Sequence, residues 1–353
     1  MARTRQTTAR TTSKPTTART TSKRTSEPTE QPTASTAPTT EPTQPPTAET
    51  APEPPTTEPA GQPTAEPPTA EPPTTEEPTT EQPPAPAAPP SPEPPTRPAP
   101  AVPRPAPFRI AVVSDVHGNA LAIEAVRRAL KAARPDAVIV AGDHALNGPD
   151  PAAAIDVIRE LEAAGALVVQ GNTDIAVADF DYTAAFPWMA DSLPDTFRFA
   201  AEWAHEAIGP ERVDWLRRLP AERRLRVDDL LVLGCHASPG SQTAGFDPAL
   251  DANVILERVS RTDARIVACG HTHLPEIRDL GWKMIVNAGS AGYVFDGDPT
   301  ASWALITIDG DEVSAEIRRA EFDTLAVSNA LSARGLPGDV YRAATVRTGK
   351  LVR

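Results

Sequence analysis

The chain carries the apolar run Ile266-Val267-Ala268 and, directly after it, the segment Cys269-Gly270-His271-Thr272-His273. The run is typical of a buried strand, and the glycine and polar residues after it are typical of a turn. In an extended segment two imidazoles one residue apart point to opposite faces, but at a tight turn both rings can face neighbouring sites. Packing explains such a pair poorly, so the segment indicates metal binding, with two ions rather than one.

Earlier apolar runs predict further buried strands at residues 108–113, 137–141 and 166–169. Two helices are predicted between them, one that ends near Pro135 and one at residues 151–164 that is closed by a glycine. The alternation of strand, helix, strand, helix and strand predicts a doubly wound α/β arrangement that begins with parallel pairing.

The later part of the chain continues with mixed elements. A mostly helical insert that covers one edge of the site is predicted at residues 174–219. The segment from Phe322 is predicted to be a helix that frays into a basic end. The remaining elements are a helix at 249–260 and strands at 225–233 (around an Asp228-Asp229 turn), 265–268, 283–286, 302–308 and 312–318.

The amino-terminal part has a different composition. Of the 353 residues 42 are proline, and most of them precede Phe108. Residues 1–26 lack apolar periodicity and predict a disordered basic arm rich in Thr and Arg, whereas the Pro/Thr/Glu repeats of residues 27–107 predict a disordered, semi-stiff linker. We expect this long disordered tail to precede one globular domain at residues 108–320, followed by a helix and basic tail at 321–353.

The formal net charge of −13 is unevenly distributed. The arm carries +7 and residues 27–107 carry −10, so the rest of the chain carries −10. This acidic balance argues against nucleic-acid binding by the globular part. The arm is expected to be a solvated segment. The alternatives are that it makes weak contact with nucleic acid or anionic lipid, or that it is an organelle transit peptide. Because no 18-residue apolar run occurs, we expect no membrane span and a cytoplasmic protein.

Each early strand ends in a turn with residue types that bind metal ions. The turns are Asp115-Val116-His117-Gly118-Asn119, Gly142-Asp143 and Gly171-Asn172-Thr173-Asp174, and Cys235-His236 follows a later strand. In an α/β sheet, ligands bind in the crevice at the carboxyl ends of the strands. With residues 270–273 there are five such turns, and their mixture of Asp, Asn and His favours Mn²⁺, Fe or Zn²⁺ over Ca²⁺ or Cu(I).

Together these turns resemble the motifs of the calcineurin-like metallophosphoesterase family from about Ile110 to Ser290. The D-x-H-G-N first motif and the G-D-x-x-x-x-G-P second motif, Gly142 through Pro149, are most similar to its smaller bacterial phosphodiesterase and phosphatase members. The resemblance implies an α/β fold in the form of a four-layer α/β/β/α sandwich. It also implies a hydrolase acting on phosphoric ester bonds with two divalent metal ions, Mn²⁺ being expected and Fe, Zn²⁺ or Ni²⁺ being the alternatives.

Carried over residue by residue, the resemblance implies seven metal ligands. The ligands of one ion would be Asp115, His117 and His273. The ligands of the other would be Asn172, His236 and His271, with Asp143 bridging both ions. A hydroxide that bridges the ions beside Asp143, Asn172 and His236 would be the nucleophile, so we expect no covalent phosphoenzyme.

One position departs from the commonest third motif of the family. Thr173 stands where larger members place a histidine that protonates the leaving group, a residue that the smaller bacterial branch often lacks too. Without that acid, leaving groups of low pKa such as phenols or phosphates are favoured. His144, beside Asp143, is a candidate substitute, and a structural or solvent-exposed histidine is the alternative interpretation.

Further residues near these turns have expected supporting roles. Asp174 is expected to orient its own turn or a ligand histidine, and Asn119 is expected to lie outside the ligand set as well. The N-x-G-S turn at residues 287–290 either lines the site with backbone amides or is a simple strand-end turn. Cys235 and Cys269 are expected to stay reduced and to pack beneath the site as small apolar groups.

The leading hypothesis is therefore a dinuclear metal-dependent phosphoesterase that hydrolyses a small phosphomonoester or phosphodiester. The insert and the loop at residues 237–246 would shape its pocket. The alternative is a non-catalytic scaffold or interaction protein that acts through its disordered tail. The complete ligand set argues against this, because decayed enzymes usually lose ligands. A structural zinc site is disfavoured, since such sites are closed and rich in cysteine.

Overall fold

The structure of the protein is a computed structural model, which describes residues 106–353. The basic arm predicted at residues 1–26 lies outside the described residues, and so does the predicted linker except for its last two residues. In the described range, no helix combines the length and the apolar character that crossing a membrane requires.

The described residues form strands, α-helices and one short 3-10 helix at Pro187–Met189. The strands are β1 (Phe108–Val113), β2 (Ala137–Ala141), β3 (Leu167–Val169), β4 (Glu222–Val227), β5 (Leu230–Cys235), β6 (Ile266–Cys269), β7 (Glu276–Asp279), β8 (Met284–Asn287), β9 (Ala301–Asp309) and β10 (Glu312–Ala320). The α-helices are α1 (Ala120–Ala133), α2 (Pro151–Ala163), α3 (Asn172–Asp179), α4 (Tyr182–Ala185), α5 (Asp195–Arg218), α6 (Ala252–Val259), α7 (Thr324–Arg334) and α8 (Asp339–Thr348).

The strands form two five-stranded mixed sheets. The order in the first sheet is β10-β9-β1-β2-β3, and the order in the second is β4-β5-β6-β8-β7. The three early strands are parallel, with Ile110 opposite Ala137 and Ile139 opposite Leu167, while β9 returns antiparallel to β1. In the second sheet β5, β6 and β8 are parallel. Parallel strands end at the same edge of their sheet, which brings their following turns together.

The two sheets pack face to face. Ile110, Val112 and Ile139 of the first sheet share a buried core with Ile266 and Val286 of the second. On the outer face of the first sheet, a separate core contains the inward residues of α1, α2 and α5. On the outer face of the second sheet, α6 and Phe246 cover the strands. This confirms the four-layer α/β/β/α sandwich.

The prediction of a doubly wound arrangement was wrong. Helices α1 and α2 contribute Ile123 and Ile155 to one core, on the same face of the first sheet as Val113 and Val140. The opposite face is covered by the second sheet instead of by helices. Strands that are buried on both faces read as continuous apolar runs whichever element covers them, so the runs do not distinguish the two arrangements.

Differences from the predicted elements occur mainly at edges and in the insert. Strands β4 and β5 form a hairpin at the predicted turn, where Asp228 has a φ of 51°. Strand β7, an edge strand of four residues, was missed because it is short and has three charged residues. The insert folds into α3, α4, the 3-10 helix and α5, which is interrupted by non-helical dihedrals at Gly209 just before Pro210.

Candidate metal centre

The turns that carry the predicted ligands have an unusual backbone. Five of the seven predicted ligands have φ in the left-handed region, namely Asp115 (55°), His117 (50°), Asp143 (59°), His271 (71°) and His273 (59°). Residues with a Cβ avoid this region at about 1–2 kcal/mol each. Such strain persists where surrounding contacts enforce it, and it clusters at functional sites.

Hydrogen bonds between the turns enforce this backbone. The amide of Asp115 donates to the carbonyl of Gly142 (3.0 Å), and that of His117 donates to the carbonyl of Asp143 (2.9 Å). Across the two sheets, the amide of His271 donates to Oδ2 of Asp115 (2.8 Å). Each turn is therefore held by its neighbours in both sheets.

Two glycines permit this close approach. A Cβ on Gly171 would lie 2.1 Å from Oδ1 of Asp143, and one on Gly270 would lie 2.2 Å from Oδ2 of Asp115. Only a residue without a side chain fits at either position.

Four of the predicted ligands form a first cluster. Asp115, His117, Asp143 and His273 are buried, and one ligand atom from each lies within 4.8 Å of the others. Nε2 of His117 is 3.0 Å from Nε2 of His273, and the latter is 3.2 Å from Oδ1 of Asp115. This cluster could hold a metal ion.

The hydrogen bonds of the two rings show why a cation fits there. Nδ1 of His117 is 2.9 Å from the carbonyl oxygen of Leu146, and Nδ1 of His273 contacts that of Tyr293. A carbonyl oxygen only accepts, so both Nδ1 atoms carry a proton, and the two Nε2 atoms face each other as potential metal ligands. Oδ1 of Asp115 is also buried without a hydrogen-bond partner among the described residues. A cation between these atoms would bind both nitrogens and satisfy the carboxylate.

The remaining three predicted ligands form a second cluster. Oδ1 of Asn172 lies 2.9 Å from Nε2 of His236 and 3.1 Å from Nδ1 of His271. Nδ2 of Asn172 donates to the carbonyl of Ala185 (2.9 Å), which turns the amide oxygen toward the rings. Nδ1 of His236 donates to the carbonyl oxygen of Ala141 (2.7 Å), so the ring turns its Nε2 toward Asn172. The donor set of this cluster also fits a cation.

Asp143 lies between the clusters. Its Oδ2 is 3.5 Å from Nε2 of His117 in the first cluster, and its Oδ1 is 3.4 Å from Nε2 of His236 in the second. The amide of Thr173, at the start of α3, donates to Oδ1 (2.9 Å). Burial raises the pKa of the Asp143 carboxyl to about 6. The side chain can thus contact a ligand in either cluster.

The protonation of two of the predicted ligand histidines suits metal binding. Burial, and then the charge of His273, lower the pKa of His117 to about 3. Burial, and then the charge of His236, lower the pKa of His271 to about 3 as well. Both rings are therefore neutral at neutral pH, which is the form that donates a lone pair to a metal ion.

Asp174 and Asn119 support the turns through hydrogen bonds. The carboxylate of Asp174 accepts from the amides of Asp143 (3.0 Å), His144 (2.8 Å) and Gly171 (2.9 Å). Asn119 caps α1 through the amide of Ala122 and donates from Nδ2 to the carbonyl of Gly292 (3.0 Å). Asp174 thereby fixes two ligand turns relative to each other.

The N-x-G-S turn also connects ligand turns. Asn287 donates from Nδ2 to the carbonyl of Gly270 (3.0 Å) and to Oγ1 of Thr272 (2.8 Å). Oγ of Ser290 donates to the carbonyl of Asp115 (2.8 Å). These side chains tie the ends of β6 and β1 together across the two sheets.

His144 and the cysteines lie in the core. The His144 ring is fully buried, its Nε2 is 2.9 Å from the carbonyl oxygen of Val169, and its centroid is 5.6 Å from that of Trp215. Cys235 and Cys269 are buried and free, and burial raises the pKa of both thiols. All three side chains pack as core residues in this structure.

Three aromatic residues at the site were missed from the sequence. Phe295 stacks on His273 with a centroid distance of 4.2 Å, and Tyr293 meets His117 edge-on at 5.7 Å. Trp188, in the insert, meets His271 edge-on at 6.1 Å. The signals were the position of Tyr293 just after the N-x-G-S turn and the predicted place of the insert at the edge of the site, but neither a loop nor an irregular insert shows which way a ring faces.

Comparisons with known proteins identify the family of the described domain. Residues 108–311 match the model of the calcineurin-like phosphoesterase superfamily domain. An uncharacterized protein of Methanocaldococcus jannaschii is 25% identical over 229 residues, which cover 61% of this chain and 88% of that protein.

Two crystal structures are similar to the described domain. A metallophosphoesterase from Sphaerobacter thermophilus aligns with a TM-score of 0.54 and 27% identity, covering 69% of this chain and 100% of that one. A hypothetical protein from Pyrococcus horikoshii shares the fold with a TM-score of 0.60 and 19% identity, covering 69% of this chain and 98% of that one. Since the family match spans more than half of the sequence, the chain belongs to the calcineurin-like phosphoesterase superfamily.

Proposed function

We propose that the protein is a dinuclear metal-dependent phosphoesterase that hydrolyses small phosphate esters. The observation that carries the proposal is the pair of imidazole nitrogens, Nε2 of His117 and of His273, that face each other at 3.0 Å beside a buried carboxylate. In the second cluster the rings of His236 and His271 converge on the amide oxygen of Asn172, and Asp143 contacts both clusters. Family membership supports a phosphate ester as the substrate.

We assign each cluster to one divalent ion. The proposed ligands of the first ion are Asp115, His117 and His273, and those of the second are Asn172, His236 and His271, with Asp143 shared. Mixed oxygen and imidazole ligands favour Mn²⁺, with Fe, Zn²⁺ or Ni²⁺ as alternatives. Two bound cations would polarise the phosphoryl oxygens and lower the pKa of the attacking water.

The residues of the chain set the conditions for that chemistry. Backbone carbonyls fix the tautomers of the histidines, and Asp174 fixes the turns of Asp143 and Asn172, so the ligand atoms are oriented before substrate binds. This preorganisation reduces the rearrangement needed during reaction.

Among the described residues we assign no donor for the leaving-group proton. Nε2 of His144 hydrogen-bonds the carbonyl of Val169 and its ring is fully buried, so we do not propose it as that donor. Thr173 offers a hydroxyl that does not ionise near neutral pH. Esters whose leaving groups have a low pKa, such as phenols and phosphates, are therefore the favoured substrates.

The proposal is tested by hydrolysis of p-nitrophenyl phosphate and bis-p-nitrophenyl phosphate with Mn²⁺ added and metal content measured in parallel. The substitution Asp143→Asn should lower kcat/KM by about 10²-fold or more, because it removes one of the two carboxylate charges among the proposed ligands, namely the one that both clusters share. Asp311→Asn, in the exposed β9–β10 turn, is the matched control and should leave turnover unchanged. A wild-type protein that holds metal but hydrolyses neither ester would exclude the proposed activity.

A further inference from the structure

The predicted ligands differ in their access to solvent. Six of the seven are buried, whereas His271 is half-buried. The second cluster is therefore open to solvent on the side of His271. This open side is the candidate entrance for substrate, and the residues around His271 border it.

Trp188 lies beside this entrance. Its side chain is on the 3-10 helix of the insert, and its ring meets that of His271 edge-on, at a centroid distance of 6.1 Å and an angle of 75°. The buried ring of Phe186 contacts Trp188 at 6.0 Å and 88°, which holds the indole from the protein side. Both contacts are edge-to-face, and 56% of the Trp188 residue remains exposed.

The backbone of the loop around Gly245 also contacts His271. A Cβ on Gly245 would lie 2.8 Å from Cδ2 of His271, so this loop packs directly against the ring, and the backbone of Thr243 hydrogen-bonds His271. A loop of this kind presents no aromatic surface at the contact. The indole of Trp188 therefore provides the large planar surface next to His271.

A single exposed aromatic residue is ordinary on a protein surface, so exposure alone has no functional meaning. Trp282 is similarly exposed (51%), but it lies beside Lys283 just before β8, at the end of that strand opposite to the ligand turns. The position of Trp188 next to a predicted ligand, anchored from behind by a buried ring, distinguishes it.

We infer that Trp188 is a specificity-determining residue whose indole stacks on a planar aromatic group of the substrate. The inference rests on the proposed phosphoesterase function and names the substrate class as phosphate esters that carry an aromatic ring. It agrees with the lack of an assigned proton donor, because aryl esters have leaving groups of low pKa. Stacking on an aromatic side chain strengthens the binding of such a ring by about 10-fold or more.

The test compares two phosphonates whose carbon–phosphorus bond a phosphoesterase leaves intact. Phenylphosphonate and methylphosphonate carry the same head group, and their binding to full-length, Mn²⁺-loaded protein is measured by titration calorimetry. We expect wild type to bind phenylphosphonate about 10-fold more tightly. Trp188→Ala should bring the two affinities together by weakening phenylphosphonate alone, and Trp188→Phe should keep most of the difference.

Trp282→Ala is the matched control and should behave as wild type. Two outcomes would overturn the inference alone, provided that wild type hydrolyses bis-p-nitrophenyl phosphate. One is equal affinity of wild type for the two phosphonates, and the other is an equal loss of affinity for both phosphonates in Trp188→Ala. Failure of wild type to bind either phosphonate, together with failure to hydrolyse that diester, would instead overturn the proposed function and the inference with it.

Discussion

At the scale of single residues, the candidate site is a set of strained turns that hold each other. The left-handed backbone of Asp115, Asp143 and His271 is stabilised by hydrogen bonds that run from one turn to the next. Residues of this type were visible in the sequence because five polar turns follow five apolar runs. The left-handed φ of these residues could not be predicted from the sequence, because it arises from contacts between segments far apart in the chain.

Gly171 tests how closely the turns must approach. In Gly171→Ala the added Cβ would lie 2.1 Å from Oδ1 and 2.3 Å from the amide nitrogen of Asp143, so one turn has to move. We expect a loss of about 1–3 kcal/mol in the free energy of unfolding. We also expect a metal affinity about 10- to 100-fold lower, because a ligand is displaced.

The control for this substitution is Gly310→Ala. Gly310 has a φ of 59° and open space around it, so alanine there introduces backbone strain of about 1–2 kcal/mol without touching the site. Denaturant unfolding and Mn²⁺ titration measure both variants. Unchanged metal affinity in Gly171→Ala would show that the close packing of this turn does not position Asp143.

At the scale of secondary-structure elements, α7 and α8 support the site from outside the sandwich. They share a small core with Tyr293, whose hydroxyl hydrogen-bonds Thr345 of α8 and whose carbonyl contacts Nδ1 of His273. Between the helices, the Asp339 side chain is only 3% exposed and pairs with Arg334 (2.5 Å) and Arg342 (3.0 Å). The carboxylate therefore joins the two helices electrostatically.

Asp339→Asn should destabilise the protein by about 3–5 kcal/mol at pH 7, because two buried guanidinium groups lose their counter-charge. Burial alone raises the pKa of Asp339, but hydrogen bonding and charge from Arg334 outweigh it, so the folded-state pKa lies below its ordinary value. A lowered carboxyl pKa stabilises the fold above the unfolded-state pKa of about 3.9, and this stabilisation is lost as the pH falls further. The difference in the free energy of unfolding between wild type and Asp339→Asn should therefore become smaller below about pH 4.

Glu316→Gln provides the comparison for an exposed pair. Glu316 and Arg318 are 2.6 Å apart on β10 with both side chains substantially exposed, so this substitution should change the free energy of unfolding by less than about 1 kcal/mol. Urea unfolding over a range of pH measures both variants. A loss below 1 kcal/mol for Asp339→Asn at pH 7 would mean that the pair between α7 and α8 contributes no more than a surface pair.

The elements show which features a sequence can predict. Buried strands such as β1 and β6 were predicted closely, because an apolar run between turn residues has few other interpretations. Edge strand β7 and the interruption of helix α5 were not predicted, because three of the four residues of β7 are charged and the interruption lies at the single residue Gly209. The orientation of Trp188 and Phe295 toward the site depends on tertiary packing, which leaves no periodic pattern in the sequence.

At the scale of the whole molecule, the site exists only because two sheets meet. The turns after β1, β2 and β3 of the first sheet carry Asp115, Asp143 and Asn172, and the turns after β5 and β6 of the second carry His236 and the pair at residues 271–273. The inter-sheet core aligns these edges. The family resemblance implied the four-layer sandwich. The alternation of strands and helices alone led to the wrong prediction that helices cover both faces of the first sheet, where the second sheet covers one of them.

The central claim is that His271 and His273, separated by one residue, serve different metal ions. His273 lies 3.0 Å from His117 in the first cluster and His271 lies 3.1 Å from Asn172 in the second, which places the two rings in separate clusters. Metal analysis of the Mn²⁺-loaded protein should give two ions in wild type, one in His271→Ala, one in His273→Ala and none in the double variant. One ion in wild type, or one ion retained by the double variant, would contradict the claim.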